Sequence, residues 1–389
     1  MTDTALHPDA ESAATPAAAG PPPGLPVLAV DLVADPGLLG RLAELAPDLE
    51  RAGLGAVTIS DGGLHPVHVA SFLAPLTRTL GLLPRTDAVY VEPFHLATQL
   101  MSLDHVSHGR AGWLLAAETD PAAAAAVGRT VLGLEATARE AADVLEAARL
   151  VWDSWAPDAV VRDAARGVYV DASRLQYADV EAETFSLRGP SITPRSPQGL
   201  LPVLVADTDR RAVGERVATE LADGRALDID VSGGAHPARI AEVVEAALAG
   251  VDGPAVRLVR LVGLDLEADP LGTVGALITT LRERHLIAPA PEGRGERGAD
   301  GAPSAIAPGD APSAGQPGGA KSAGQPGGAT SAGVSGDALS AGGRAPGASV
   351  PSLRERLGLS PAQHAPDPER RADRARRTDL TDQTREESA

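Results

Sequence analysis

Residues 86–113, TDAVYVEPFHLATQLMSLDHVSHGRAGW, decide the fold. The stretch reads as strand, loop, helix and the start of another strand. Residues 87–91 are short and β-prone, and Glu92-Pro93 breaks them. Phe94, Ala97, Leu100, Met101 and Val106 then recur at roughly helical spacing, and Ser107-His108-Gly109 ends the helix with turn chemistry. Arg110-Ala111-Gly112-Trp113 leads into the apolar run 114–117. Strand, helix and strand in that order form a βαβ unit, the building block of a parallel sheet.

The same alternation extends outward. Toward the N-terminus the pattern predicts a strand over 26–33, an amphipathic helix marked by Leu38, Leu39, Leu42, Leu45 and Leu49, and a buried strand over 55–60 that ends at Asp61. Gly62-Gly63 follows as a turn, then a helix over 66–78. Toward the C-terminus come a weakly specified helix over 122–127, a long helix over 135–155 and a turn-rich insertion over 156–200. Strands over 202–206, 227–231 and 256–262 then alternate with helices over 208–221, 237–249 and 271–286. Seven strands separated by helices imply parallel pairing with right-handed crossovers. Alternation alone fits an open doubly wound sheet or a barrel equally.

Composition bounds the function. Hydrophobic residues are 43% of the 389, but aromatics are only 2%, so the core must be built from Ala, Val and Leu. A net charge of −18 opposes non-specific binding to nucleic acid or an anionic membrane. The chain has no cysteine, which excludes disulfides, thiolate metal sites and a cysteine nucleophile. No apolar run approaches the ~20 residues that span a bilayer, and the first residues lack the basic region of a secretory signal, so a cytoplasmic protein is expected. Residues 1–24 read as a disordered leader, 25–290 as the folded domain, 291–349 as a Gly/Ala/Pro/Ser-rich disordered linker carrying SAGQPGGA at 313–320 and again at 322–329, 350–365 as a further ordered segment, and 366–389 as a charged tail.

The wording of the opening stretch is more specific than its periodicity. EPFHLATQLMSLDHVSHGRAGW, the block around Trp152-Asp153-Ser154-Trp155, and residues 185–199 (FSLRGPSITPRSPQG) resemble, in the same order, the bacterial-luciferase-like flavin-dependent monooxygenases of the nitrilotriacetate and dibenzothiophene-sulfone branch. Residues 352–359 (SLRERLGL) resemble that family's C-terminal ending, which there follows the last barrel helix closely. The resemblance implies a (β/α)8 TIM-type barrel. Residues 264–271 are too short for the family's eighth-strand segment, so an incomplete or irregular barrel is expected at the last strand. It further implies reduced FMN bound at the C-terminal strand ends, a small organic substrate, a separate flavin reductase as partner and a possible homodimer.

Of the flavin contacts that the resemblance implies, one persists: Asp61 closes the second strand. Before Gly62-Gly63 the same residue is also ordinary turn chemistry. The hydroxyl donors of the third strand are replaced by Ala88 and Val89, the fourth strand ends in Ala116-Ala117-Glu118, and the family's His and Tyr fall on Leu134 and Ala138. The phosphate-binding turn aligns with residues 206–210, where Asp209 is placed to cap the following helix and take up its free N–H groups, while Arg210 and Arg211 offer cations nearby.

His65 and His68, spaced i, i+3 beside Asp61, suggest a metal pair, but two histidines without a third ligand do not establish one, and no metal is assigned. His95, His105, His108 and Arg110 belong to the family block and read as structural. No catalytic residue is assigned. The leading function is a reduced-flavin-dependent monooxygenase. The alternative is a catalytically degenerate barrel without flavin, kept as a binding or partner module. A third is another small-molecule enzyme using Asp61, His65 and Glu118.

Overall fold

A computed structural model describes residues 24–234, 236–250, 253–290 and 350–366. The leader through residue 23, the repeat-bearing linker 291–349 and the charged tail from 367 lie outside the described residues. All described residues belong to one unit.

The strands of the central sheet are β1 (Val27–Ala34), β2 (Ala56–Asp61), β3 (Gly81–Asp87) and β4 (Trp113–Ala116), then β9 (Val203–Ala206), β10 (Gly224–Asp230) and β11 (Val256–Val262). Between β4 and β9 lie two short antiparallel hairpins, β5 (Val160–Asp163) with β6 (Val168–Val170), and β7 (Val180–Glu181) with β8 (Ser186–Leu187). The helices are α1 (Leu39–Arg51), α2 (Pro66–Leu73), α3 (Pro93–Ser107), α4 (Pro121–Ala126), α5 (Leu134–Trp152), α6 (Arg210–Arg216), α7 (Pro237–Ala249), α8 (Pro270–Glu283) and α9 (Leu353–Arg356).

Among the described residues the seven central strands pair in parallel and close on themselves in the order β1-β11-β10-β9-β4-β3-β2. The irregularity expected at the last strand takes a definite form. No eighth strand stands between β11 and β1; Val27–Val30 pair directly with Leu258–Leu261. The loss narrows the barrel instead of opening it, because diameter scales with strand number. The interior is correspondingly small: Ala29, Ala56, Ala206 and Ala226 share its lower half with Val27, Leu83, Leu114, Leu204 and Leu258. Trp113 and Trp152 lie outside the barrel wall, edge to face at 6.3 Å, in the layer between strands and helices.

Three local expectations are corrected. The β-prone run 87–91 is not the strand: β3 ends at Asp87, because its register is set by β2 at Ala56–Ile59 and by β4 at Leu114–Ala116. Ala88 and Val89 turn into the core, and Tyr90 takes φ 60°. The helix expected over 208–221 is broken, since Gly214 at φ 81°, ψ 162° interrupts α6. The helix expected over 66–78 ends at Leu73 and passes into a tighter turn. By contrast, α3 starts on Glu92, whose carboxylate accepts from the Phe94 and His95 amides, and stops at His108 in the left-handed region, as the turn residues predict.

Arg110 is structural. Its buried guanidinium donates to the carbonyls of Ala74, Thr77, Leu80 and Ser107 and to the Thr77 hydroxyl, fixing the loop ahead of β3. Glu50 ties the same loop from α1. Burial alone would raise its pKa, but the amides of Thr79, Arg78 and Leu80 outweigh that and lower it.

Candidate active site at the C-terminal strand ends

Side chains alternate across a strand, so residues two apart share the barrel interior. Ala29, Ala56, Leu83, Ala226 and Leu258 face inward. Two residues further along the same strands stand Asp31, Thr58, Arg85, Asp228 and Arg260, and one step beyond come Ser60 and Asp87. The upper half of the barrel is therefore polar.

Arg260 is its hub. The guanidinium is 4% exposed, too dry to remain charged without partners. It contacts Asp31 at 2.9 Å and Asp228 at 2.9 Å, and donates to the hydroxyls of Thr58 and Ser60, each at 3.0 Å. Those hydroxyls donate in turn to Asp31, at 2.6 and 3.0 Å. The other oxygen of Asp228 accepts from the backbone and hydroxyl of Thr208. Across the barrel Arg85 donates two bonds to Asp209, from Nε at 2.9 Å and from its terminal nitrogen at 2.5 Å. Burial would lower the pKa of Arg85, and the bond to Asp209 reverses this.

Among the described residues Asp87 has no such partner. Burial pushes its pKa from 3.8 up to about 6; Arg85 opposes the rise, while Glu118, Asp209 and Asp61 add to it. Four carboxylates (Asp31, Asp87, Asp209, Asp228) thus share two guanidiniums, a surplus of negative charge, and Asp87 is the one without an ion-pair partner among the described residues.

Asp209 corrects the sequence reading. It stands at the N-cap of α6 but makes no capping bond; its carboxylate turns inward to Arg85. A bidentate Arg–carboxylate pair in a dry interior is stronger than one bond to a helix amide, so the cap is forgone. Asp61 keeps its turn role: Oδ1 accepts from the Gly63 amide at 2.7 Å. Glu118 likewise accepts from the amides of Thr119 and Asp120. His65 and His68 stack at 5.1 Å, and His65 is held below its ordinary pKa by burial first and by His68 second. Among the described residues no group of three ligating side chains is placed to hold a metal. His105 meets the Pro194 carbonyl at 3.1 Å, and His95 meets Gln99 at 2.9 Å.

A second cluster at the rim gave no sequence signal. Arg129 pairs with both oxygens of Glu140 at 2.6 and 2.5 Å and lies 5.1 Å over the Tyr90 ring. The Tyr90 amide donates to Glu140 and its hydroxyl accepts from Leu132, so the loop leading into α5 is tied to the end of β3. For Arg85, Asp87 and Arg260 a signal did exist. Each is a charge inside an apolar strand at inward phase, where only a paired or functional group is tolerated.

The family model for luciferase-like monooxygenases matches residues 25–262. The chain belongs to that family. Dibenzothiophene-sulfone monooxygenase of Rhodococcus erythropolis is 36% identical over 172 residues, covering 44% of this chain and 36% of that protein. Nitrilotriacetate monooxygenase component A of Aminobacter aminovorans is 32% identical over 181 residues, 44% of this chain and 40% of that protein. The chain thus spans well under half the length of these curated relatives. Among solved structures, long-chain alkane monooxygenase superposes with TM-score 0.55 at 16% identity, over 69% of this chain and 94% of that one, and shares the fold. Riboflavin lyase, solved with modified FMN and riboflavin, gives TM-score 0.50 at 26% identity, over 61% and 62%.

Flavin dependence is the rule in this family, so the barrel mouth must be tested for a fit to FMN. The residues present do not fit. At the turn that the sequence resemblance puts at the phosphate, Asp209 supplies a carboxylate, and α6 is cut short by Gly214. Ala88 and Val89 are 0% and 1% exposed and present no donor. Ala138, which the sequence resemblance puts at the family's Tyr, packs on Gly214 so closely that a Cβ added to the glycine would lie 2.5 Å from its own. Among the described residues no helix is long and apolar enough to cross a membrane.

Proposed function

We propose that this luciferase-family barrel does not run flavin oxygenation and serves instead as a binding or partner module that takes a small organic molecule at its strand ends. The observation that carries this reading is the Arg85–Asp209 pair. The resemblance puts the family's phosphate turn at residues 206–210, and there the Asp209 carboxylate engages the Arg85 guanidinium, which supports the loss of two electrostatic contributions to phosphate binding. Each lost bond to a charged group is worth roughly 1.5–3 kcal/mol, and two or three together weaken affinity by about 10³ or more. A separate flavin reductase is then not needed by this chain.

Anaerobic titration of the purified protein with reduced FMN, followed by heat or flavin fluorescence, tests the reading. Dissociation constants far above micromolar are expected. Micromolar or tighter binding would return the chain to the reduced-flavin monooxygenases, with Asp61 as a candidate cofactor contact.

A further inference from the structure

The opposite, N-terminal end of the barrel carries a built socket. Leu353 and Leu357 of the C-terminal segment are 0% and 1% exposed and pack against Val27, Ala56, Leu83, Leu114 and Leu258 inside the barrel floor. Two glycines make the room. A Cβ on Gly81 would stand 2.8 Å from Leu353 Cδ1, and one on Gly112 would stand 3.0 Å from Cδ2. Polar contacts read the segment's backbone and charges. The Leu353 amide donates to the Gly109 carbonyl at 2.9 Å, and the Arg354 amide donates to Gln198 Oε1 at 2.8 Å. Gln198 is itself oriented by bonds to buried Asp104 and the Ala111 carbonyl. Arg356 donates to the carbonyls of Thr79 and Gly55. The segment supplies its own order, since Ser352 and Glu355 form a reciprocal capping box.

This is how a peptide is recognised: two leucine anchors in a glycine-lined slot, main-chain bonds on either side, and one arginine reading carbonyls. The barrel domain ends at Ala290, and the segment begins again only at Val350. We propose that the barrel floor is a peptide-recognition site whose ligand, residues 352–359, is separable from the barrel, so that the same socket holds this segment as a free peptide once the covalent link is cut. Tethering alone does not explain its seating. A covalent link raises the local concentration of the segment, so in the uncut chain its own segment outcompetes a micromolar partner. Severing the tether removes that advantage and leaves the intrinsic affinity.

The test uses the full chain with a protease site placed between the two SAGQPGGA repeats. After cutting at ~10 µM protein, the fragment carrying 350–389 is expected to co-elute with the barrel, and a labelled peptide of residues 350–366 added in excess is expected to replace it. The same fragment bearing Leu353→Ala is expected to bind at least ~30-fold more weakly and to elute apart. Three results would each overturn the proposal: departure of the wild-type fragment from a barrel that keeps its circular dichroism, unfolding of the barrel on cutting, or equal retention of the Leu353→Ala fragment. None of these readouts involves flavin, so the proposal stands or falls independently of the function proposed above.

Discussion

Asp87→Asn removes one unpaired negative charge from the barrel mouth and should stabilise the protein at neutral pH. In the folded state this carboxyl titrates at about 6, against 3.8 ordinarily. Between those values the folded protein holds a proton that the unfolded chain has released. The stability this confers is fully present below pH 4 and is lost as pH rises through 6. Two pKa units correspond to a ceiling of ~3 kcal/mol, and partial exposure of the carboxyl reduces this to about 2. The asparagine keeps the shape and carries no charge, so the variant should melt near the wild-type temperature at pH 4 and about 5 °C above it at pH 7.5. Thermal unfolding by circular dichroism at half-unit pH intervals measures the gap. The two proteins differ only at residue 87, so the difference between their curves isolates that carboxyl. A gap that stays constant from pH 4 to 7.5, or narrows, refutes the assignment of Asp87 as the uncompensated carboxylate.

Arg260→Met strands Asp31 and Asp228 together without the cation they share and should cost about 3–5 kcal/mol; urea unfolding reads the loss. Truncation after Pro351 removes the buried Leu353 and Leu357 and should lower the melting temperature by roughly 10 °C or more, each leucine contributing about 2–5 kcal/mol if its site stays empty. Deletion of 291–349 should leave the melting temperature of the barrel unchanged, since these residues offer little to bury; a drop of more than a few degrees counts against the linker reading. Combined Asp209→Ser, Ala88→Thr and Val89→Thr substitutions restore donors at the mouth but leave Ala138 against Gly214, so the gain in reduced-FMN affinity should be smaller than the ~10³ deficit, as measured by titration.

Much of the barrel is legible in the chain because its strands are buried on both faces. Such strands appear as short apolar runs between helices, and β11 at Val256–Val262 and α7 at Pro237–Ala249 fall where their runs place them. The end of α3 is equally local: Ser107-His108-Gly109 stops a helix wherever it occurs. The family wording added what periodicity does not hold, the choice of a barrel over an open sheet.

Tertiary structure decided the rest, because the deciding interactions join residues far apart in sequence. That β3 stops at Asp87 follows from its neighbours' register, against the local preference of residues 87–91. Asp209 looks like a helix cap until Arg85, 124 residues away, is brought opposite it. Asp31, Asp228 and Arg260 become one ion network only when β1, β10 and β11 close the seven-stranded ring. The destination of residues 352–359 depends on a slot made by Gly81 and Gly112, two positions where the sequence shows only the absence of a side chain. A strand's burial is written in its own residues, whereas the partner of a buried charge is set by which strands the closed barrel makes neighbours.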